Sequence, residues 1–223
     1  MNQQETVLTY LDSYCERAGD PGLWGEPLNA ATNLLFLLAA FAALWVTAKQ
    51  PRHHFRDMPD VWLLIVALVG ISIGSGLFHT LPNKHTVLMD VLPITAFMNI
   101  YLIAALRRFL KLNWGVVVAC WLLYTAFGLL AQVQLPADLL NGTIMYIPTY
   151  LTLGLLTAAI WRQDATYGRV FGQVLLVWTA SLVFRTADLE ICEQFPIGTH
   201  FLWHMLNAWV LYRLLVALIH RAR

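Results

Sequence analysis

Long apolar stretches alternate with short polar connections along most of the chain. Seven of these stretches are close to the roughly 20 residues that an α-helix needs to cross the hydrocarbon core of a bilayer. The pattern therefore predicts an all-α membrane protein, a bundle of seven transmembrane helices. The predicted spans are residues 28–48, 61–81, 88–106, 114–134, 142–161, 168–187 and 199–219.

The composition agrees with a membrane protein. Of the 223 residues, 59% are hydrophobic and only 12% are charged, against roughly 25% charged residues in ordinary soluble domains. Because the connections are short, residues 28–223 are expected to form one transmembrane domain, preceded by an acidic segment over residues 1–27. That segment lacks a basic region followed by an apolar core, so no cleavable signal peptide is expected.

The basic residues predict the orientation of the bundle. Eleven of the fourteen lysines and arginines fall in or beside alternate connections and the C-terminal end, and Arg17, Lys84 and Arg185 fall toward the other side. The positive-inside rule then puts the C-terminus in the cytoplasm and the N-terminus outside. Ten of the thirteen acidic residues lie on this outer side, and the net charge of +1 gives no reason to expect a nucleic-acid partner. The eleven basic residues on the predicted cytoplasmic side are Lys49, Arg52, Arg56, Arg107, Arg108, Lys111, Arg162, Arg169, Arg213, Arg221 and Arg223.

Three histidines and one carboxylate lie within the apolar spans: His79, His200, His204 and Asp90. Ionisable groups are costly inside a membrane, so such a cluster predicts a functional site. His200 and His204 are four residues apart and share one helix face, as do Ser75 and His79. When the chain is threaded through seven spans, all five residues fall in the outer half of the bundle.

Three imidazoles predict a zinc site. A catalytic zinc typically has three protein ligands and a water molecule, and it lowers the pKa of that water to about 7. Asp90 is then a candidate to transfer protons, and Ser75 to donate to a developing oxyanion. Simpler interpretations stay open: Ser75 bonding to a carbonyl of its own helix, Asp90 as a helix-start residue, and each histidine as a hydrogen-bonded interior residue.

These motifs, in this order, resemble those of the alkaline ceramidases. That family belongs to a seven-helix hydrolase superfamily that also contains the adiponectin and progestin receptors and the haemolysin III-like proteins. The resemblance covers nearly the whole chain. The motifs that carry it are Asp12-Ser-Tyr-Cys-Glu16, Glu26-Pro-Leu-Asn29 leading into Thr32-Asn33, Ser75-x-x-x-His79 followed by Asp90, and His200-x-x-x-His204.

The resemblance implies a zinc-dependent amidase that cleaves the N-acyl bond of ceramide to a fatty acid and a sphingoid base. It implies zinc ligation by His79, His200 and His204, with Ser75 as the oxyanion donor and Asp90 as the proton-transfer group. A disulfide between Cys15 and Cys192, both on the predicted outer side, is implied as well; two free thiols are the alternative.

The family also holds a calcium ion with the N-terminal loop beside the catalytic site. The corresponding candidates here are Asp12, Tyr14, Glu16 and Glu26. When the runs are aligned on the cysteine, however, the family's flanking Asp and Asn are replaced by Ser13 and Ala18. Calcium takes six to eight oxygen ligands, so an acidic loop without an ion is the alternative.

Three other kinds of seven-helix protein would each carry a feature that can be sought in the sequence. A receptor-like or lipid-sensing protein with a structural zinc would be expected to carry a long cytoplasmic N-terminal domain. A retinal pigment needs a lysine in the last span, and residues 199–220 contain none. A metal transporter needs polar ligands along both halves of its pathway. We therefore expect a hydrolase of ceramide or another N-acyl lipid, in a bacterial inner membrane with its site toward the periplasmic half.

Overall fold

The computed structural model describes residues 10–136 and 138–221, and within them it contains helices and no strand. Seven helices are long and apolar enough to cross a membrane, which confirms the predicted seven-helix fold and fits a multi-pass integral membrane protein. Residues 1–9 of the predicted outer segment and Arg223 lie outside the described residues, and the orientation of the bundle stays a prediction. The helices are α1 (Pro27–Ala48), α2 (Pro59–Thr80), α3 (Lys84–Arg108), α4 (Trp114–Gln134), α5 (Thr143–Gln163), α6 (Ala165–Ala187) and α7 (His200–Arg221).

Several helices begin earlier than their apolar stretches. The α2 helix starts with Pro59, because a proline fits the first turn of a helix without losing a hydrogen bond. The α3 helix starts four residues before the predicted boundary, because Asn83 forms a capping box with Thr86. Asp164 caps α6 in a similar way by accepting the Thr166 amide at 3.0 Å. These capping residues are polar and so lie outside the apolar pattern.

Two of the spans are irregular. In α1, the α-helices Pro27–Thr32 and Leu34–Ala48 are separated at Asn33. The α5 span opens with a 3₁₀ turn, Thr143–Tyr146, before its α-helix Ile147–Gln163. Pro148 lies in the first turn of that α-helix, where a proline costs no hydrogen bond, so it does not interrupt the helix.

A close contact between the backbones of α2 and α3 positions part of the site. A Cβ atom on Gly74 would overlap the Met89 carbonyl oxygen and would lie 3.0 Å from the Asp90 nitrogen. Only glycine at this position allows the two backbones to meet, as small residues do between membrane helices. The contact places the end of α2, which carries Ser75 and His79, directly against the turn of α3 that carries Asp90.

The interior of the bundle is formed chiefly by α2 and α7, while α4 lies on its outside. More than half of the most apolar window of α2 and of α7 is buried. The single buried residue of α4 is Val117. The α1, α3 and α7 helices begin, and α2 ends, at one end of the bundle, here called the site end.

Candidate metal and active site

The three predicted zinc ligands come together at the site end. His79 lies in the last turn of α2, and His200 and His204 lie in the first two turns of α7. One nitrogen from each ring lies within 4.8 Å of the other two. All three side chains are at most 1% exposed. The sequence prediction that these residues form one group is confirmed, and the group has the composition to hold a metal ion.

Hydrogen bonds orient two of the three rings. His79 Nδ1 lies 2.5 Å from Glu26 Oε2, and His204 Nδ1 lies 2.9 Å from Thr32 Oγ1. Such partners fix the tautomer of a metal-binding histidine and direct its other nitrogen at the ion. Consistent with this arrangement, His204 Nε2 and His200 Nδ1 are buried and have no hydrogen-bond partner. Because buried polar atoms normally have partners, these orphaned nitrogens fit a zinc ion.

The start of α7 is held by Asp188, a residue that the sequence analysis did not single out. Its carboxylate is fully buried and accepts the backbone amides of Thr199 at 2.6 Å, His200 at 2.9 Å and Cys15 at 3.1 Å. Gly198 lies beside it with φ +62°, and a Cβ there would overlap Asp188 Oδ1. Asp188 therefore fixes the position of His200.

Ser75 and Asp90 lie beside the histidines with unused hydrogen-bonding capacity. Ser75 Oγ and Asp90 Oδ1 are both buried without a well-formed hydrogen bond, and the two side chains interact with each other. The hydroxyl does not bond back to its own helix, and Asp90 lies in the second turn of α3, whose start is capped by Asn83. Both simpler interpretations are therefore wrong. Asp90 also interacts electrostatically with His79, and the contact at Gly74 holds its turn of α3 against the end of α2 that carries the histidine.

The N-terminal segment covers the site. The ring of Tyr14 packs against His200 with centroids 3.9 Å apart and against His79 at 5.1 Å. Burial raises the pKa of the Tyr14 phenol well above its ordinary value, so this group stays neutral. Cys15 and Cys192 form the predicted disulfide, with Cα atoms 5.2 Å apart. The segment is thus covalently tied to the connection before α7.

The predicted calcium ligands do not surround a common centre. Asp12 is exposed, and Tyr14 packs on the histidines. Glu16 uses both carboxylate oxygens at the start of α1, accepting the Leu28 amide at 2.6 Å and the Asn29 amide at 2.8 Å. Partial burial raises the pKa of Glu16, and these two amide bonds oppose that rise. The role of Glu16 is therefore to cap a helix.

Glu26, the remaining calcium candidate, is fully engaged. Its Oε1 accepts the Arg17 Nε at 2.6 Å, and its Oε2 contacts His79 Nδ1 and accepts the Asn29 amide group at 3.0 Å. Burial alone would raise the pKa of Glu26, but the bonds from His79, Arg17 and Asn29 outweigh it and hold that pKa below its usual value. With no carboxylate oxygen left over and an arginine already bound, these residues do not fit a calcium ion.

Arg185, in the last turn of α6, is a second residue that the sequence analysis missed. Its guanidinium carbon lies 5.7 Å from the ring centroids of Tyr146 and Trp203, and it interacts electrostatically with Asp90. Nη1 donates to the Asn141 carbonyl at 2.6 Å, while Nε is buried without a partner. A partly buried positive charge therefore lies near the candidate reacting group Asp90.

An apolar cavity runs from the site into the bundle. Its lining begins at Tyr146 and Trp203 and continues to Leu156 and Leu214, a distance of about 16 Å along α7 at the rise of an α-helix. Trp203 also stacks on His200, with ring centroids 5.0 Å apart. The cavity therefore opens beside the candidate metal site and has the lining that a hydrocarbon chain requires.

No protein-family model matches the chain, and no curated protein matches it.

Proposed function

We propose that this protein is a membrane-embedded, zinc-dependent amidase that hydrolyses the N-acyl bond of ceramide or a similar N-acyl lipid. The products are a fatty acid and a free amine. The observation that carries the proposal is the apolar cavity whose lining includes Trp203, the residue that stacks on the candidate zinc ligand His200. A site that joins a hydrocarbon pocket to a metal centre suits a lipid whose scissile bond lies at the end of its acyl chain.

His79, His200 and His204 would hold the zinc ion. When bound, zinc supplies an activated water molecule and polarises the substrate carbonyl. The buried Ser75 hydroxyl donates a hydrogen bond to the carbonyl oxygen as it gains negative charge. Asp90 accepts the proton of the attacking water and passes it to the leaving nitrogen. Both roles use buried atoms that have no well-formed hydrogen bond in the structure.

The surroundings of the site support a reaction sheltered from bulk water. Tyr14 and the disulfide-linked segment cover the histidines, and the acyl chain would lie between Phe97, Leu153 and Trp178. The distribution of basic residues supports a site in the periplasmic half of a bacterial inner membrane. The excess of acidic residues on that side would favour a substrate that releases an amine.

Zinc content and hydrolysis, measured together on purified protein in detergent, test this function. Wild type is expected to bind about one zinc per chain and to release fatty acid from ceramide, and His204→Ala is expected to lose both. Ser75→Ala should retain zinc but lose turnover by about 10²- to 10³-fold. His85→Ala, an exposed histidine at the start of α3, is the matched control and should change neither.

Two results would redirect the proposal. Absence of zinc from the wild-type protein would overturn the metal centre itself. Zinc binding without hydrolysis of ceramide or of other N-acyl lipids would favour the lipid-sensing alternative, in which the metal is structural.

A further inference from the structure

Arg17 is among the most deeply buried side chains of the described chain, with 1% of its surface exposed. Charged side chains are almost never buried this completely unless they are paired. The guanidinium donates to Glu26 Oε1 at 2.6 Å and to three backbone carbonyls: Asp20 at 2.8 Å, Gly22 at 3.1 Å and His79 at 2.7 Å. One buried cation is therefore enclosed by four oxygen atoms.

These oxygens come from three separate parts of the chain. Asp20 and Gly22 belong to the turn of the N-terminal segment, Glu26 precedes α1, and His79 lies in the last turn of α2. A carboxylate and several backbone carbonyls that converge from different segments are the ligand chemistry of a calcium site. Here the guanidinium occupies their centre, and its planar set of donors matches oxygens in fixed directions.

The chain around Arg17 leaves space for the guanidinium. A Cβ atom on Gly25 would lie 2.8 Å from Arg17 Nη1 and 3.0 Å from the Asp20 carbonyl oxygen. Any larger residue at position 25 would displace the guanidinium or the turn. The pocket therefore fits the arginine side chain closely, and the Arg17–Glu26 ion pair belongs to the interior of the protein.

Arg17 contacts the metal ligand His79 by two routes. It binds the His79 carbonyl directly, and it binds Glu26, whose other oxygen lies 2.5 Å from His79 Nδ1. Glu26 is thus held between the arginine and the imidazole. This arrangement keeps Nδ1 of His79 occupied and leaves its other nitrogen to face His200 and His204.

We propose that Arg17 is an internal cation that takes the place of a divalent ion in this loop and acts as a positioning residue for His79. The protein is then independent of calcium. The inference rests on the metal centre of the proposed function but not on its substrate, so zinc affinity tests it whether or not ceramide is hydrolysed.

The experiment measures the zinc dissociation constant of purified protein by competition with a chelating dye, with and without millimolar Ca²⁺. Wild type should give the same constant in both conditions. Arg17→Ala should weaken zinc binding by about 10- to 100-fold, the usual cost of removing the support of a metal-binding histidine. Calcium should restore part of that loss, because Glu26 and the three carbonyls regain a cation.

Arg221→Ala is the matched control. It removes an arginine paired with Asp164 at the opposite end of the bundle, and zinc affinity should not change.

Three outcomes would overturn the inference: a calcium-dependent zinc affinity in wild type, an unchanged affinity in Arg17→Ala, or a loss in Arg17→Ala that calcium does not reduce. Should Arg17→Ala fail to fold, Arg17→Lys replaces it. Lysine keeps the charge without the planar donors, so a smaller loss of zinc affinity is expected, and an unchanged constant would again contradict the positioning role.

Discussion

The helices α2 and α7 differ sharply from α4, although all three are long, apolar spans. Their most apolar windows have mean hydropathies of 2.3, 1.5 and 2.0, yet 56% of the window is buried in α2 and α7 and 6% in α4. Hydropathy therefore recognises a span without telling whether protein or lipid surrounds it. In a bilayer, lipid tails solvate an apolar face as well as other helices do. The interior helices α2 and α7 are distinguished by the histidines that they carry, since α4 has no histidine and no charged residue.

The largest effect is expected where α2 meets α3. Gly74→Leu places a side chain into the Met89 carbonyl group, so it should separate the helices and abolish both folded protein and zinc binding. Gly128→Leu is the matched substitution in α4, where no atom lies within 4 Å of the position, and it should be neutral. The yield of monodisperse protein in detergent and its zinc content measure both variants. Equal yields would refute the contrast between the two helices.

A smaller effect is expected at the start of α7. Asp188→Ala leaves three buried amides without an acceptor and releases His200, so zinc affinity should fall by about 10- to 100-fold. Asn113→Ala removes the corresponding cap of α4, where one exposed amide is accepted at 3.0 Å. That change should cost about 1 kcal/mol of helix stability and leave zinc binding intact. A zinc titration measures the affinity of both variants. An equal loss of zinc affinity in the two would contradict the role of Asp188 in positioning His200.

The smallest effect is expected in the apolar interior. Leu215→Ala removes a fully buried side chain of α7. It should lower the free energy of unfolding by about 2 kcal/mol, which is the low end for a buried leucine. The loss is small because lipid already solvates the leucine in the unfolded chain. Leu123→Ala in α4, whose side chain is 70% exposed, should change stability by less than about 0.5 kcal/mol. Thermal unfolding in detergent compares the two. A larger shift for Leu123 would mean that α4 is covered by another protein surface.

The sequence was sufficient for the spans and for the histidine cluster, for physical reasons. Span length follows from bilayer thickness, and a histidine within an apolar span has few explanations other than function. His79, His200 and His204 could therefore be identified without a structure. Helix starts were less accurate, because the caps that set them, such as Asn83 and Asp164, are polar residues outside the apolar pattern.

Charged residues near the site could not be interpreted from the sequence. Arg17 and Asp188 lie in polar surroundings along the chain, where charges are normally solvated. Their burial depends on contacts between the N-terminal segment and residues at or next to the ends of α2 and α6, which are long-range and have no local signal. Arg185 lies near the end of the predicted span 168–187, where an arginine usually extends to the membrane surface. The sequence gives no sign that the Arg17 guanidinium lies among the oxygens of the loop that carries the calcium candidates.

The disulfide has a consequence for how the protein is made. Cys15 and Cys192 are separated by 177 residues, and two of the three histidines follow Cys192 in the chain. A ribosome that delivers the spans one after another must therefore release nearly the whole polypeptide before the covalent link can close or the third imidazole can arrive. A copy truncated before Cys192 lacks both the link and two of the three histidines, so the candidate metal site cannot assemble until synthesis is nearly finished.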